Sequence, residues 1–387
     1  MSISRLTTFF GWPVVTGLLL GLCIILWMNG NNSYDRGPSD NGFQLGYLSP
    51  QNGNDGWSGP ISYAEAVNNA APAVVNIYTR TKLKRRRHPL LDDPLFRHFF
   101  NNSDVPSQER MQSALGSGVI ISPEGYLLTN NHVIEGADEI LVLLKDGREA
   151  QATLVGTDPE SDLAVLKITL EKLTSINIGD PANAAIGDVV LAIGNPFGVG
   201  QTVTQGIISA TGRYGLGINT YENYLQTDAA INPGNSGGAL IDARGNLLGI
   251  NTAILDKTGF SVGIGFAIPA DTAVKVMQDL VSYGQVVRGW LGIEAQQMTP
   301  ELAKSFKLNS PNGVIVTAIY NNGPAHKAGL RPGDIILRMN NSQVSDGRLS
   351  MHQVAQGRPG DKIEIELLRN GETLVMNGVL GVKPNNS

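Results

Sequence analysis

Apolar and polar positions alternate in short runs along most of the chain, and glycine, proline and asparagine punctuate them. Such runs predict strands, because successive side chains of a strand face opposite sides. They fall at 118–121, 126–129, 139–144, 150–155, 163–168, 189–193 and 202–209, then at 224–226, 247–254 and 264–268. A capped short helix from Ser62 and a strand at 73–79 precede them, and a helix at 270–283, stopped by Gly284, follows. Many short strands at near-regular spacing argue for barrels or a sandwich rather than alternating β and α. From 285 the pattern changes to strands at 290–294, 313–319, 334–339, 362–368 and 372–379, with short helices at 299–306, 324–328 and 348–356. That is a small α+β domain, 285–383, with a polar tail at 384–387, after a β-rich domain at 62–284.

One run breaks the period. From Leu6 to Tyr34 there is no charged residue, and 9–28 is an apolar core of 20 residues. As a helix it would span about 30 Å, one bilayer core. A cleaved signal peptide fits less well: the run is long and no A-x-A-like site follows it. Cys23, the one cysteine, lies inside the run, where a lipoprotein cleavage site also fits poorly. A retained transmembrane helix is expected, with 1–8 cytoplasmic by the single Arg5 and the rest of the chain outside. Residues 29–61, rich in Asn, Gly, Ser and Pro, read as a tether.

Composition narrows the class further. The 387 residues carry a net charge of −5, so a nucleic-acid partner is not expected. The basic run at 82–88 opens a long loop, 82–112, and reads as solvated, although the loop's Leu90, Leu91, Leu95, Phe96, Phe99 and Phe100 need burial somewhere. The five histidines include no pair at metal-ligand spacing, so neither a metal nor a cofactor is expected.

The candidate chemistry sits in the stretch INPGNSGGAL, Ile231 to Leu240. Glycines around Ser236 let a backbone approach a substrate closely. The same letters also build ordinary turns, His132 alone could be a surface residue, and Asp162 alone a cap. Together they run His, Asp, Ser, the chain order of chymotrypsin-like proteases, each at the end of a strand. In that reading Ser236 attacks a carbonyl and His132 takes its proton and returns it to the leaving amine. Asp162 orients the ring, and the N–H groups of Gly234 and Ser236, in the oxyanion loop Gly234-Asn235-Ser236, hold the developing charge.

The motifs TNNHVI, SDLAVLKI, AIGNPFG, GIISATGR, LQTDAAINPGNSGGAL and GIGFAIP together resemble the HtrA-type serine proteases over about 62–383. The resemblance implies a chymotrypsin-like double β-barrel with His132, Asp162 and Ser236 as its triad. Asn235 stands where digestive relatives have the aspartate that pairs with a newly cut amino terminus, so another device must order the oxyanion loop. Offset counting places Ala230 and Ile231 at the primary specificity pocket, which would then be apolar. The segments RGWLGI (Arg288 to Ile293) and GLRPGDII (Gly329 to Ile336) resemble a PDZ domain. Such a domain captures an extended C-terminus by strand addition. Trp290, Leu291, Gly292 and Ile293 would form its carboxylate loop, and Met351 and Val354 would face the peptide.

One anchor plus one PDZ domain resembles the DegS-type branch, also called AlgW-type. That branch implies a homotrimer of the bacterial inner membrane with its protease and PDZ domains in the periplasm. C-terminal peptides of misfolded outer-membrane proteins would activate it to cut a membrane-bound anti-sigma factor, with Arg213, in the loop 211–223, as the relay. The segment DDPLFRHFF in 82–112 looks more like soluble degradative relatives and keeps general quality control open. A PDZ adaptor with an inactive protease block is the third reading, and the intact His132, Asp162, Ser236 and Gly234 count against it.

Overall fold

The computed structural model describes residues 17, 20–22, 62–82, 111–195, 200–254, 262–306, 312–344 and 346–384. The expected cytoplasmic segment, tether and most of the loop 82–112 lie outside the described residues. So does the apolar run, apart from Gly17 and 20–22, which are helical. Among the described residues no helix is long and apolar enough to cross a membrane. The chain divides into two units, Met1–Gly59 and Pro60–Ser387.

The second unit opens with helix α1 (Ala64–Ala70) and a 3₁₀ turn. Seven strands follow: β1 (Val74–Lys82), β2 (Met111–Ile120), β3 (Tyr126–Thr129), β4 (Glu139–Leu143), β5 (Glu149–Gln151), β6 (Thr153–Asp158) and β7 (Leu163–Lys167). Their order is β5-β4-β1-β2-β3-β7-β6. The two ends of this sheet are consecutive in sequence, parted only by Ala152. The expected single strand at 150–155 is therefore a bent pair, with one half on β4 and the other on β7. The bend wraps the sheet round on itself through the covalent chain. Strands β1 and β2 also run longer than their apolar letters, because Val74↔Val119 through Lys82↔Met111 pair along the whole hairpin and backbone pairing accepts polar side chains.

Six more strands form a closed barrel in the order β10-β13-β12-β11-β8-β9. They are β8 (Val189–Gly194), β9 (Thr202–Arg213), β10 (Tyr224–Thr227), β11 (Ala239–Asp242), β12 (Leu247–Ile254) and β13 (Gly265–Pro269). Sequence patterning missed β11, a four-residue strand hidden behind the glycines of the serine loop. Strand β8 displays the period of two: Val190 and Ala192 fill the core of this barrel, while Leu191 and Ile193 join a larger apolar cluster shared with the first sheet. Helix α2 (Ala270–Tyr283) packs on β6, β7, β12 and β13 and ends as expected at Gly284, which is left-handed at φ 71°.

The last sheet, β14-β15-β16-β18-β19 with β17 on β16, has its own core of Leu291, Val316, Ile336, Ile365 and Leu367. Its strands are β14 (Ile293–Gln297), β15 (Val314–Ile319), β16 (Ile335–Met339), β17 (Ser342–Gln343), β18 (Lys362–Arg369) and β19 (Glu372–Val379). Strand β14 starts three residues later than its letters suggest, because Gly292 at φ 77° turns the chain first. Helices α3 (Pro300–Ser305), α4 (Pro324–Lys327) and α5 (Gly347–Gln356) complete it. Charged pairs bind this domain to β6 and α2. Arg288 grips Asp158, with 3.0 Å between Nη1 and Oδ1, and Arg358 meets buried Asp279 at 2.6 Å.

His352, on α5, is buried, with 8% of its surface exposed, and its Nδ1 has no hydrogen-bond partner among the described residues. Burial holds its pKa below 6.5, Arg288 and Lys275 push the same way, and Asp271 opposes them. The unfolded chain therefore binds more protons than the native one just below pH 6.5, and stability falls on acidification through that range. Each pH unit inside the window is worth up to ~1.4 kcal/mol. Urea denaturation at pH 7 and pH 5 should show a smaller loss for His352→Gln than for the natural chain.

Candidate active site

Two strand pairings assemble the site. Thr129 on β3 is opposite Ala164 on β7. His132, three residues beyond Thr129, and Asp162, two before Ala164, thus emerge at one end of the first sheet. In the second barrel Ala239 is opposite Ile250. Ser236, three before Ala239, and Thr252, two beyond Ile250, share an end in the same way. His132 lies in a one-turn helix (Asn131–Ile134) where a turn was expected, because the chain winds once before leaving the strand end.

Asp162 is the most constrained residue. It is a non-glycine at φ 58°, a conformation that costs on the order of 1–3 kcal/mol. Five donors offset that cost. Its backbone carbonyl accepts from Asn131 N at 3.2 Å and Asn130 Nδ2 at 3.0 Å. Its carboxylate accepts from His132 N at 3.0 Å and from Thr252 Oγ1 at 2.8 Å. The remaining contact is His132 Nδ1 at 2.7 Å from Oδ2. With Nδ1 donating there, the neutral ring keeps a lone pair on Nε2, the state a general base needs. The His132 side chain is 47% exposed, open to an incoming substrate.

Ser236 Oγ donates to the Thr252 carbonyl at 3.4 Å and makes no hydrogen bond to His132 among the described residues. The backbone around it is fixed. Asn235 N donates to Asn232 O at 2.9 Å, Gly237 N to Asn251 O at 2.8 Å, and Gly238 N to Asn235 O at 2.9 Å. The Asn235 N–H is thereby spent, while those of Gly234 and Ser236 are engaged by no group among the described residues. Asn235 is buried, and among the described residues its side chain reaches only the Ala230 carbonyl, at 3.4 Å, rather than a charged partner. Ala230 is half-buried and Ile231, at 1% exposure, sits in the core of the second barrel.

A groove of about 470 Å³ lies between β14 and α5. Trp290, Leu291, Gly292, Ile293, Met351 and Val354, all expected there, line it. The N–H groups of Leu291 and Gly292 face no acceptor among the described residues, and β14 pairs only with β15, leaving its other edge open. Thr220 and Tyr221, in the loop 211–223, line the same groove. Three N–H bonds from Leu216, Ile218 and Asn219 to the Glu222 carboxylate hold that loop. Arg213 stands at its base, exposed, with Nε on Gln226 Oε1 at 2.8 Å, away from the groove.

Comparison with known proteins places this geometry. Residues 116–250 match the trypsin-like peptidase domain and 289–377 the PDZ domain. A probable periplasmic serine endoprotease, DegP-like, from Pseudomonas putida is 44% identical over 337 residues, 83% of this chain and 70% of its own length. The solved HtrA-type protease AlgW with decapeptide shares 58% identity and a TM-score of 0.70, covering 84% of this chain and 99% of that one. A serine endoprotease from Yersinia pestis shares 43% at TM-score 0.60, covering 84% and 100%.

The chain belongs to the HtrA-type serine proteases. Within that family it carries one PDZ domain and lies close to AlgW, whose solved forms hold a decapeptide or a tripeptide. Sequence reasoning missed two residues of this HtrA-type site. Thr252 passes for an ordinary strand residue, and its only signal is the polar pair Asn251-Thr252 inside the apolar run of β12. Ser117, on β2, contacts the serine loop, and its signal is the flanking Gly116 and Gly118. Replacing Thr252 by Val keeps the shape and removes a bond to a charged group, worth about 1.5–3 kcal/mol. Steady-state kinetics of Thr252→Val should show kcat/KM lowered about 10-fold or more, with a melting temperature near that of the natural chain.

Proposed function

We propose that this chain is a membrane-anchored, peptide-activated serine endopeptidase. In it His132, Asp162 and Ser236 are the catalytic residues and the N–H groups of Gly234 and Ser236 form the oxyanion hole. The single observation that carries activation is the shared groove: Thr220 and Tyr221 of the protease domain and Trp290 to Ile293 of the PDZ domain line one cavity. A peptide added along β14 touches both, so its binding free energy can differ between two arrangements of the barrel loop, as coupling requires. Its carboxylate meets the free N–H groups of Leu291 and Gly292, and its last side chains meet Met351 and Val354. Half-buried Ala230 makes the primary pocket apolar, while Ile231 is packed in the barrel core.

The apolar run 9–28 supports anchoring in the inner membrane, with 62–284 as protease domain and 285–383 as PDZ domain on the periplasmic side. In this reading the assembly is a homotrimer. The activators are C-terminal peptides of misfolded outer-membrane proteins, and the substrate is a membrane-bound anti-sigma factor whose cleavage starts an envelope stress response. No cofactor or metal enters the reaction. Kinship with DegP-like endoproteases favours a second reading, general quality control of unfolded proteins.

One assay separates these readings. The natural chain and Ser236→Ala are compared on unfolded casein and on a membrane-bound anti-sigma factor, with and without a decapeptide ending in apolar residues. The regulatory reading expects cleavage of the anti-sigma factor to rise at least ~10-fold with peptide, a coupling of ~1.4 kcal/mol, and Ser236→Ala to be inert. Casein cleavage that ignores peptide supports quality control instead. In the same assay Arg213→Ala should lose activation while peptide affinity, read by fluorescence anisotropy, stays unchanged. Full activation of that variant sinks the relay.

A further inference from the structure

We infer that Ser117 is a positioning residue for the oxyanion hole, a clasp that sets the backbone of the serine loop from the opposite barrel. The inference rests on the proposed reading of Ser236 as nucleophile.

Ser117 is fully buried at 0% exposure, and all its polar groups are used. Its hydroxyl donates to Gly234 O at 2.6 Å and accepts from Asn195 N at 3.0 Å. Its backbone N–H donates to Ser236 O at 2.9 Å, and its carbonyl accepts from Thr129 Oγ1 at 2.7 Å. One residue of β2 thus holds the carbonyls on both sides of Asn235.

The consequence is geometric. The Gly234–Asn235 peptide is gripped at its oxygen by Ser117 and at its nitrogen by Asn232 O. The Asn235–Ser236 and Ser236–Gly237 peptides are gripped by Gly238 N, Ser117 N and Asn251 O. Of these restraints, the Ser117 hydroxyl is the one strong bond made by a side chain, since the Asn235 amide reaches Ala230 O only at 3.4 Å. The two unengaged N–H groups, of Gly234 and Ser236, flank the peptide it grips. Close packing removes slack: a Cβ on Gly237 would lie 2.1 Å from Ser117 O, and one on Gly194 would lie 2.8 Å from Asn235 Cα. Preorganised donors act only when aimed at the developing charge, so the hydroxyl that aims them contributes to the chemical step and little to ground-state binding.

The test is Ser117→Ala, with Ser117→Cys as a near-isosteric variant whose thiol is a weak donor. Casein kinetics, melting temperature and the rate of labelling by a fluorophosphonate are measured for each, beside the natural chain and Ser236→Ala. In labelling, Ser236 Oγ bonds to phosphorus, fluoride leaves and the hydroxyl proton passes to His132. We expect kcat and labelling rate to fall together by ~10²-fold, the cost of a misplacement of about 1 Å. KM should stay within about twofold, and Ser117→Cys should lie between Ser117→Ala and the natural chain. Natural kcat and labelling rate in a folded Ser117→Ala or Ser117→Cys overturn the inference. So does a loss that follows the melting temperature and is restored by assaying well below it. If Ser236→Ala still labels and cleaves, the nucleophile assignment fails instead.

Discussion

The bond between Thr252 Oγ1 and the Asp162 carboxylate joins the seven-stranded sheet and the closed barrel into one site. His132 reaches Asp162 from the same sheet, and Ser236 stands beside Thr252 in the other. With the bonds from Ser117 to Gly234 O and Ser236 O, that bridge fixes the imidazole and the serine to one another across the two sheets. The apolar cluster running from Ile77 and Leu128 through Leu191 and Ile241 supplies the bulk of the adhesion between them. Dispersion and burial have no direction, however, and a directional bond is needed to set ångström-scale register.

Much of this was legible in the letters. His132, Asp162 and Ser236 stand at strand ends among turn residues, where polar side chains are not needed for a core, so their chemistry showed through. Gly284 and the helix before it were plain because a left-handed terminator has few substitutes. The partners of these three residues were not legible. Threonine is at home in any strand, so Thr252 carried no mark of its hydrogen bond, and Ser117 between two glycines reads as a turn although it sits mid-strand. Strand β11 was lost because three apolar residues and an aspartate behind a glycine pair have too little length to display a period. The bend at Ala152 was lost because pairing partners, not residue type, decide where a strand turns from one neighbour to another. Ile231 illustrates a different limit: offset counting finds a residue's rank in a motif, not the direction of its side chain, and this one is packed into the barrel core.

The groove shows how a binding module and an enzyme can share a wall. The loop that contributes Thr220 and Tyr221 is held from within by the Glu222 carboxylate, so it moves as a knot of bonded backbone rather than as a loose strap. Arg288 lies over the Tyr221 ring at 4.4 Å while gripping Asp158, four residues ahead of Asp162. The distance in sequence between groove and triad is long, but the path through packed groups is short.

The PDZ domain also closes upon itself. Trp290 donates to Gly381 O at 3.0 Å and accepts from Gly381 N at 2.9 Å, so the first turn of the domain is stitched to its last. Lys383, just beyond, reaches Glu160 of the barrels at 2.9 Å. A pull on the loop Trp290 to Gly292 is therefore borne by both ends of the domain at once. Mechanically the mouth of the domain is anchored on two sides rather than one.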